Sequence, residues 1–122
     1  MSVIAVVGAS PDRRKFGNKA LRAFRARGYT VIPINPHARE IEGERAYGSV
    51  LDYPGPIDEA TLYVPPEIGV RVVAEIVRKN IKKLWLNPGA DAPEVVAQAR
   101  ALGLFPVIAC SILAVGESPE DY

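Results

Sequence analysis

The stretch Val3-Ile-Ala-Val-Val-Gly-Ala-Ser-Pro-Asp-Arg-Arg-Lys-Phe-Gly17 decides the fold of this chain. Its first five residues, Val3 to Val7, form the continuous apolar run that is typical of a strand buried on both faces. Small residues and then three cations follow before a helix-forming segment. At such a strand-to-helix junction, backbone N–H groups and the positive end of the helix both favour an anion. The stretch therefore predicts a phosphate site in an α/β protein.

Composition describes a single ordinary domain. The chain has 122 residues, of which 48% are hydrophobic and 24% charged, and its formal net charge is +1. We therefore expect one domain over residues 1–122, with no bias toward nucleic acid or membranes. A lone Cys110, the lack of a signal peptide and the lack of a membrane-length apolar run predict a cytoplasmic protein. One cysteine and one distant histidine also argue against a metal site.

Strand-like and helix-like segments alternate along the chain. Strands are predicted over 3–7, 29–34, 60–64, 83–86 and 105–109, and helices over 17–27, 66–79 and 91–102, the last opened by a capping box at Asp91 to Glu94. The alternation predicts an α/β fold with a doubly wound five-stranded parallel sheet and helices on both faces. Winding from the centre favours strand order 3-2-1-4-5, which puts the ligand crevice between the first and fourth strands. We expect 112–115 to pack and 116–122 to be a loose end.

The loops after the five strands should form one rim, because parallel strands end at the same edge of a sheet. The rim lacks the G-x-G-x-x-G fingerprint, and Asn35 stands where an acidic residue would hold the ribose of NAD. Arg39 is suited to a phosphorylated ribose, so an NADP site stays open. No Gly-Lys-Ser/Thr follows the first strand, which excludes a P-loop. His37 has no identifiable carboxylate partner, and we predict no catalytic residue.

The pattern resembles a known family at several places along nearly the whole chain. The matching pieces are Val6 to Pro11, Gly28 to Pro36, Ile41 to Gly43, Tyr47, Tyr63 to Pro66, Leu84 to Leu86 with Gly89, Ala101 to Leu104, and Cys110. Together they resemble the small stand-alone CoA-binding proteins, which are Rossmann-type single domains similar to the CoA-binding domain of succinyl-CoA synthetase α subunits. The apolar run from Ala109 to Val115 departs from the family, which commonly has a polar, basic stretch there.

The resemblance implies a site for coenzyme A or an acyl-CoA, with no catalysis by the chain itself. It assigns the CoA phosphates to Gly8, Ala9, Ser10, Arg13 and Arg14, the phosphorylated ribose to Asn35, Pro36 and His37 to Arg39, adenine or ribose to Val64 and Pro65, and pantetheine to Asn87, Pro88 and Gly89. The junction residues Lys15 and Gly17 join this candidate site. The alternatives are a subunit of an enzyme that uses NADP or another nucleotide, and a regulatory or interaction domain whose CoA site has decayed. Assembly into a homo-oligomer or with a partner enzyme stays open.

Overall fold

The apolar run at the start of the chain forms the strand around which the rest of the fold is built. The computed structural model describes residues 2–122 and confirms the α/β class. The elements in chain order are β1 (Val3–Val7), α1 (Phe16–Ala26), β2 (Thr30–Ile34), β3 (Glu40–Ile41), β4 (Glu44–Arg45), a 3-10 turn (Val50–Asp52), β5 (Glu59–Leu62), α2 (Pro66–Arg78), β6 (Lys83–Leu86), α3 (Pro93–Ala101), β7 (Val107–Ile108), α4 (Ser111–Ala114) and a second 3-10 turn (Pro119–Asp121).

The main sheet has five parallel strands in the order β2-β1-β5-β6-β7, and β3 and β4 form a separate antiparallel pair. The predicted order 3-2-1-4-5 is therefore wrong, because the third strand of the sheet, β5, pairs with β1 rather than with β2. Numbered by their order in the chain, the five strands lie as 2-1-3-4-5. The point where the winding direction changes moves accordingly from between the first and fourth strands to between β1 and β5.

The outer edge of β2 explains why β5 does not lie there. Tyr47 forms a bridge to Ile34, donating its N–H to the Pro33 carbonyl (3.0 Å) and accepting the Asn35 N–H (2.8 Å). Pro33, which is awkward inside a strand, therefore has its main chain turned toward this edge, where the missing N–H breaks no bond to β1. An edge occupied by Tyr47 and interrupted by proline is closed to another strand, so the chain returns to the far side of β1.

The sheet separates two apolar layers. On one face of the sheet, Ile4 and Val6 pack in a cluster with Leu21, Phe24 and Ile112, and α1 and α4 cover this face. The opposite layer contains the other residues of β1 with the buried faces of α2 and α3, including Ala5, Val7, Leu62, Leu84, Leu86, Val73, Ile76, Val95 and Ala99. The alternation of β1 between the two layers is the reason that its sequence is apolar throughout.

Three details near the end of the described chain correct the sequence predictions. The last strand covers Val107–Ile108 rather than 105–109. The capping box is absent, since Ala92 precedes α3 without a side-chain cap and the Asp91 carboxylate accepts the Gly89 N–H (3.3 Å). The segment 116–122 is anchored rather than loose, because Arg22 donates to the Tyr122 carbonyl (3.2 Å) and Tyr122 packs on the α1 layer.

Trp85 is buried in β6, as expected, and donates its indole N–H to Glu59 (2.9 Å). No helix within residues 2–122 combines the length and the apolar composition that crossing a membrane requires.

Candidate functional site

A cleft of about 690 Å³ opens where β1, β2 and β5 end. Its walls come from the loop between β1 and α1, the loop after β2, the segment between β5 and α2, one face of α2, and the loop after β6. The cleft lies at the carboxyl ends of the parallel strands and beside the change in winding direction, which is where ligands bind in open α/β sheets. Its volume is in the range of small-molecule and cofactor sites.

Two glycines hold the first loop tightly against its surroundings. Gly8 has φ +92°, a left-handed conformation, and a Cβ there would clash with the Tyr63 carbonyl oxygen. A Cβ on Gly17 would clash with the Gly8 carbonyl oxygen and would lie 3.2 Å from the Cα of Ala9. The first turn of α1 therefore lies directly on the loop that follows β1, a contact that other residue types at these two positions would prevent.

This junction presents main-chain donors. The N–H groups of Ala9, Ser10, Phe16 and Gly17 have no acceptor within residues 2–122, and all four residues line the cleft. Lys15 precedes α1 without a side-chain cap, so the first amides of the helix stay available. Free amides at a helix N-terminus favour an anion.

The loop cations differ in their surroundings. Arg14 donates twice to Asp12 (3.1 and 3.0 Å), and this hydrogen bonding lowers the pKa of Asp12 to about 2. Arg13 lies 3.7 Å from Glu42, and neither arginine lines the cleft. Lys15 lines the cleft and has no ion-pair partner in the described part of the chain. Lys15 is thus the predicted loop cation that the fold places beside the free amides.

The loop after β2 joins this wall through Asn35. Its side-chain amide donates to the Ala9 carbonyl (2.9 Å), and its side-chain oxygen accepts the His37 N–H (2.7 Å). Asn35, Pro36 and His37 line the cleft, whereas the exposed Arg39 does not. Asn35 thus ties two loops of the cleft together.

Tyr63 and Asn87 belong to a buried polar network behind the cleft. Asn87 is 1% exposed and donates to the Thr61 hydroxyl (2.6 Å) and the Leu62 carbonyl (2.9 Å), while its oxygen accepts the Ser111 N–H (2.9 Å). The Tyr63 hydroxyl lies 3.2 Å from the Ser111 hydroxyl, and burial raises the pKa of Tyr63 to about 12. Asn87 is thereby a structural residue, and the following residues, Pro88 and Gly89, are the ones that reach the cleft.

The remaining predicted residues, Val64 and Pro65, also line the cleft, and the structure adds a wall that the sequence analysis missed. Ile68, Arg71, Val72 and Glu75 of α2 line the cleft, and the Glu75 carboxylate accepts a hydrogen bond from the Ser49 hydroxyl (2.7 Å). Their spacing of three, four and seven residues is that of one helical face. This face lies next to the core face of α2, and the helix begins just after the third strand of the sheet. Its helical spacing was the feature of the sequence from which this wall could have been predicted. Other lining residues outside the prediction include Phe16, Gly48, Val50 and Tyr63.

The residues that line the cleft carry two kinds of group with different ligand preferences. Free amides and Lys15 suit phosphate groups, and the aliphatic and proline side chains suit an apolar or aromatic group. Within residues 2–122, no group of three or more His, Cys, Asp or Glu side chains is arranged to hold a metal ion. Cys110 is a half-buried free thiol outside the cleft lining.

Comparison of the sequence with known proteins shows the protein family to which the chain is similar. A family model described as CoA binding domain matches residues 2–116. The chain is 40% identical over 80 residues to an ADP-forming acetate–CoA ligase of Archaeoglobus fulgidus, covering 66% of this chain and 12% of the ligase. It is 30% identical over 100 residues to the uncharacterized protein YneT of Bacillus subtilis, covering 82% of this chain and 74% of that protein. The chain thus spans only a small part of the length of the ligases that it matches.

Solved structures give the same result for the fold. A conserved hypothetical protein from Pyrococcus furiosus superposes with a TM-score of 0.84 at 34% identity, covering 93% of this chain and 99% of that one. An acetyl-coenzyme A synthetase of Ca. Korarchaeum cryptofilum, in complex with phosphate and ADP, superposes with a TM-score of 0.77 at 31% identity. That match covers 88% of this chain and 25% of the synthetase. The domain therefore occurs both in small proteins and within long chains.

Proposed function

The chain belongs to the CoA-binding domain family, and on that premise we propose that it binds coenzyme A or an acyl-CoA in the cleft without catalysing a reaction of its own. The observation that carries the proposal is the junction of β1 and α1. Four main-chain N–H groups there have no acceptor within residues 2–122, and they lie beside Lys15, which has no ion-pair partner in the same residues. A diphosphate offers several acceptor oxygens and negative charge, which this combination of donors favours.

The other walls fit the rest of such a ligand. Val64 and Pro65 line the cleft with an apolar surface that suits adenine or the ribose, and we assign Pro88 and Gly89, which also line it, to the pantetheine arm. Arg71 of α2 also lines the cleft, and it adds a second cation to that of Lys15. One ligand with a diphosphate, a further phosphate, an aromatic base and a long, mostly uncharged arm would use all of these surfaces.

A binding role, rather than catalysis, is supported by the titratable side chains that line the cleft. These are Lys15, His37, Tyr63, Arg71 and Glu75. His37 forms no side-chain hydrogen bond with a carboxylate within residues 2–122, and Glu75 accepts from Ser49. General acid–base catalysis needs a positioned donor or acceptor held by a partner group. We propose that any chemistry on the bound thioester takes place on a partner enzyme, in line with the ligase relatives.

Isothermal titration calorimetry of the whole chain with CoA, acetyl-CoA, NADP and ATP tests the proposal. We expect CoA and acetyl-CoA to bind and NADP and ATP to bind more weakly or not at all. Lys15→Ala should raise the Kd for CoA about tenfold, the loss of one charge-assisted contact. Arg14→Ala is the matched control, since Arg14 is already engaged by Asp12, and should leave the Kd within about twofold.

Two outcomes would contradict the proposal. Binding of NADP with no binding of CoA would identify the cleft as a site for a different nucleotide. Failure of all four ligands to bind the folded chain would indicate a decayed site and an interaction domain.

A further inference from the structure

The main sheet has one closed edge and one open edge. At β2, Tyr47 is bonded on both sides of Ile34, and Pro33 lacks an N–H, so that edge is occupied. At the opposite side, β7 is the outermost strand, and within residues 2–122 no strand lies beyond it. An open strand edge can pair with a further strand, and monomeric proteins usually protect such edges.

The direction of the β7 main chain follows from one hydrogen bond. The Ala109 N–H donates to the Leu86 carbonyl (3.2 Å), so Ala109 and, by alternation, Val107 direct their polar groups toward β6. The N–H and C=O of Ile108 therefore point away from the sheet. The Cys110 N–H also has no acceptor in the described part of the chain, whereas the Cys110 carbonyl accepts the Ala114 N–H of α4 (3.1 Å).

Exposed apolar side chains occur in β7 and in the segments that precede and follow it. Phe105 is 83% exposed, Ile108 49% and Leu113 59%. Residues 101–116 contain no Asp, Glu, Lys, Arg or His. Charged residues are a common means of preventing strand pairing at an edge, and they are missing here. A contact around a two-fold axis places residues beside their own copies, where like charges would repel. An uncharged, apolar edge strand avoids that repulsion.

We propose that β7 pairs antiparallel with β7 of a second copy of this chain, across a two-fold axis at Ile108, so that the two sheets become one. In that register, the N–H of each Ile108 donates to the carbonyl of Ile108 in the other copy. The N–H of each Cys110 then lies opposite the Pro106 carbonyl of the other copy and donates to it.

In the same register, each main-chain donor of Ile108 and Cys110 that faces the second copy meets an acceptor. The position opposite Cys110 is Pro106, which has no N–H to donate. The Cys110 carbonyl, which such a donor would otherwise meet, is already used by α4. The residue that lacks an N–H, Pro106, therefore lies opposite the carbonyl that needs no donor, that of Cys110. This agreement favours a second copy over an unrelated strand.

The dimer leaves the proposed ligand site free. The cleft lies between β2, β1 and β5, and no residue of β7 lines it. Each copy would therefore keep an open cleft, on opposite halves of the joined sheet. The inference does not depend on which ligand the cleft takes.

Sedimentation velocity over a range of protein concentrations tests the dimer. We expect the unmodified chain to sediment at twice the monomer mass, with dissociation on dilution. Ile108→Pro removes the outward N–H without touching a bond to β6, and Ile108→Lys adds like charges at the axis. Both variants should sediment as monomers. Thr30→Lys is the matched control, because Thr30 is exposed on β2, the strand at the opposite edge of the sheet from β7, and this variant should stay a dimer.

Far-UV circular dichroism and a thermal melt establish that each variant is folded before it is compared. If Ile108→Pro does not fold, Ile108→Lys decides, since that side chain is half exposed and lysine is tolerated on edge strands. A wild-type chain that stays monomeric at every concentration would overturn the proposal. A dimer that survives in the folded Ile108→Lys variant, or one that is lost equally in Thr30→Lys, would overturn it too.

Discussion

At the scale of single residues, Tyr63 connects the cleft with the polar network behind it. Its ring is mostly buried, and its hydroxyl lies 3.2 Å from that of Ser111. Burial raises the pKa of this phenol from the ordinary 10.0 to about 12. Tyr63 therefore stays neutral throughout the physiological range and acts as a wall that hydrogen bonds to the network but adds no charge to the cleft.

The raised pKa of Tyr63 makes stability depend on pH at the alkaline end. The folded chain holds the phenolic proton more tightly than the unfolded chain, so the contribution is complete below about pH 10 and is lost as pH rises toward 12. We expect the free energy of unfolding, measured by urea denaturation, to fall more steeply between pH 9 and 12 for the wild type than for Tyr63→Phe. The difference should reach about 2 kcal/mol.

The comparison contains its own control. Burial also raises the pKa of Tyr29, but Tyr29 is present in both proteins, so its contribution cancels in the difference. Equal pH slopes for the wild type and Tyr63→Phe would contradict the assignment of the raised pKa to Tyr63.

Individual side chains were the hardest part of the site to predict from sequence. Asn35 and Asn87 both follow strands, and both were predicted to meet the ligand. The structure places Asn35 across two loops and buries Asn87 beneath the cleft. Which way an asparagine turns depends on which acceptors and donors the neighbouring strands bring within reach. Those neighbours were not known, because the predicted strand order was wrong.

At the scale of elements, α2 has two adjacent faces, one packed in the core and one that lines the cleft. Val72, Val73 and Ile76 are buried against the sheet, and the adjacent face carries Ile68, Arg71 and Glu75 along the cleft. Val72 belongs to both faces. A single helix thus provides core packing and one wall of the proposed ligand site.

The role of the cleft face of α2 can be tested by replacing two arginines of this helix, one on that face and one away from it. Arg71 and Arg78 are both exposed on α2, but only Arg71 lines the cleft. Arg71→Ala should raise the Kd for CoA severalfold, because a cation near a phosphorylated ligand is removed, and Arg78→Ala should leave it within about twofold. Calorimetry at two salt concentrations is the measurement. Equal effects of the two substitutions would mean that Arg71 acts through overall charge alone.

Apolar patterns were sufficient to locate most helices and strands. The run from Val3 to Val7 and the strand Lys83–Leu86 agree with the sequence prediction at both ends. The capping box before α3 was wrong, because the Asp91 side chain bonds Gly89 rather than the helix. The prediction of a loose tail after α4 was wrong for a different reason, since Arg22 on a distant helix holds Tyr122. The bond to Gly89 is local, whereas the bond from Arg22 joins segments that lie far apart in the sequence.

At the scale of the whole molecule, the sheet divides the apolar core into two layers, one on each of its faces. Ile4 is fully buried on the α1 side, and Ile76 is fully buried on the α2 side. The order of the strands could not be read from the sequence, because it depends on the closed edge at β2. That closure rests on Tyr47, which lies in the irregular segment.

The two layers should respond independently to small cavities. Ile4→Val and Ile76→Val should each lower the free energy of unfolding by about 1 kcal/mol. Combined, the two losses should add to within about 0.5 kcal/mol, as measured by chemical denaturation. The comparison pair is Ile76→Val with Ile81→Val, since both isoleucines belong to the α2 layer and are joined through the Ile81 N–H and the Ile76 carbonyl (3.1 Å). A coupling across the sheet as large as the one within the layer would contradict the division.

The contact between Gly8 and Gly17 has a kinetic consequence. Because the loop after β1 rests on the first turn of α1, its donors are held in place before any ligand arrives. Association then needs no slow ordering of the loop, and ligands that share the same phosphate groups should associate at similar rates. Differences in affinity among them would appear in how long each complex lasts. In this protein, discrimination between related ligands would be a matter of residence time.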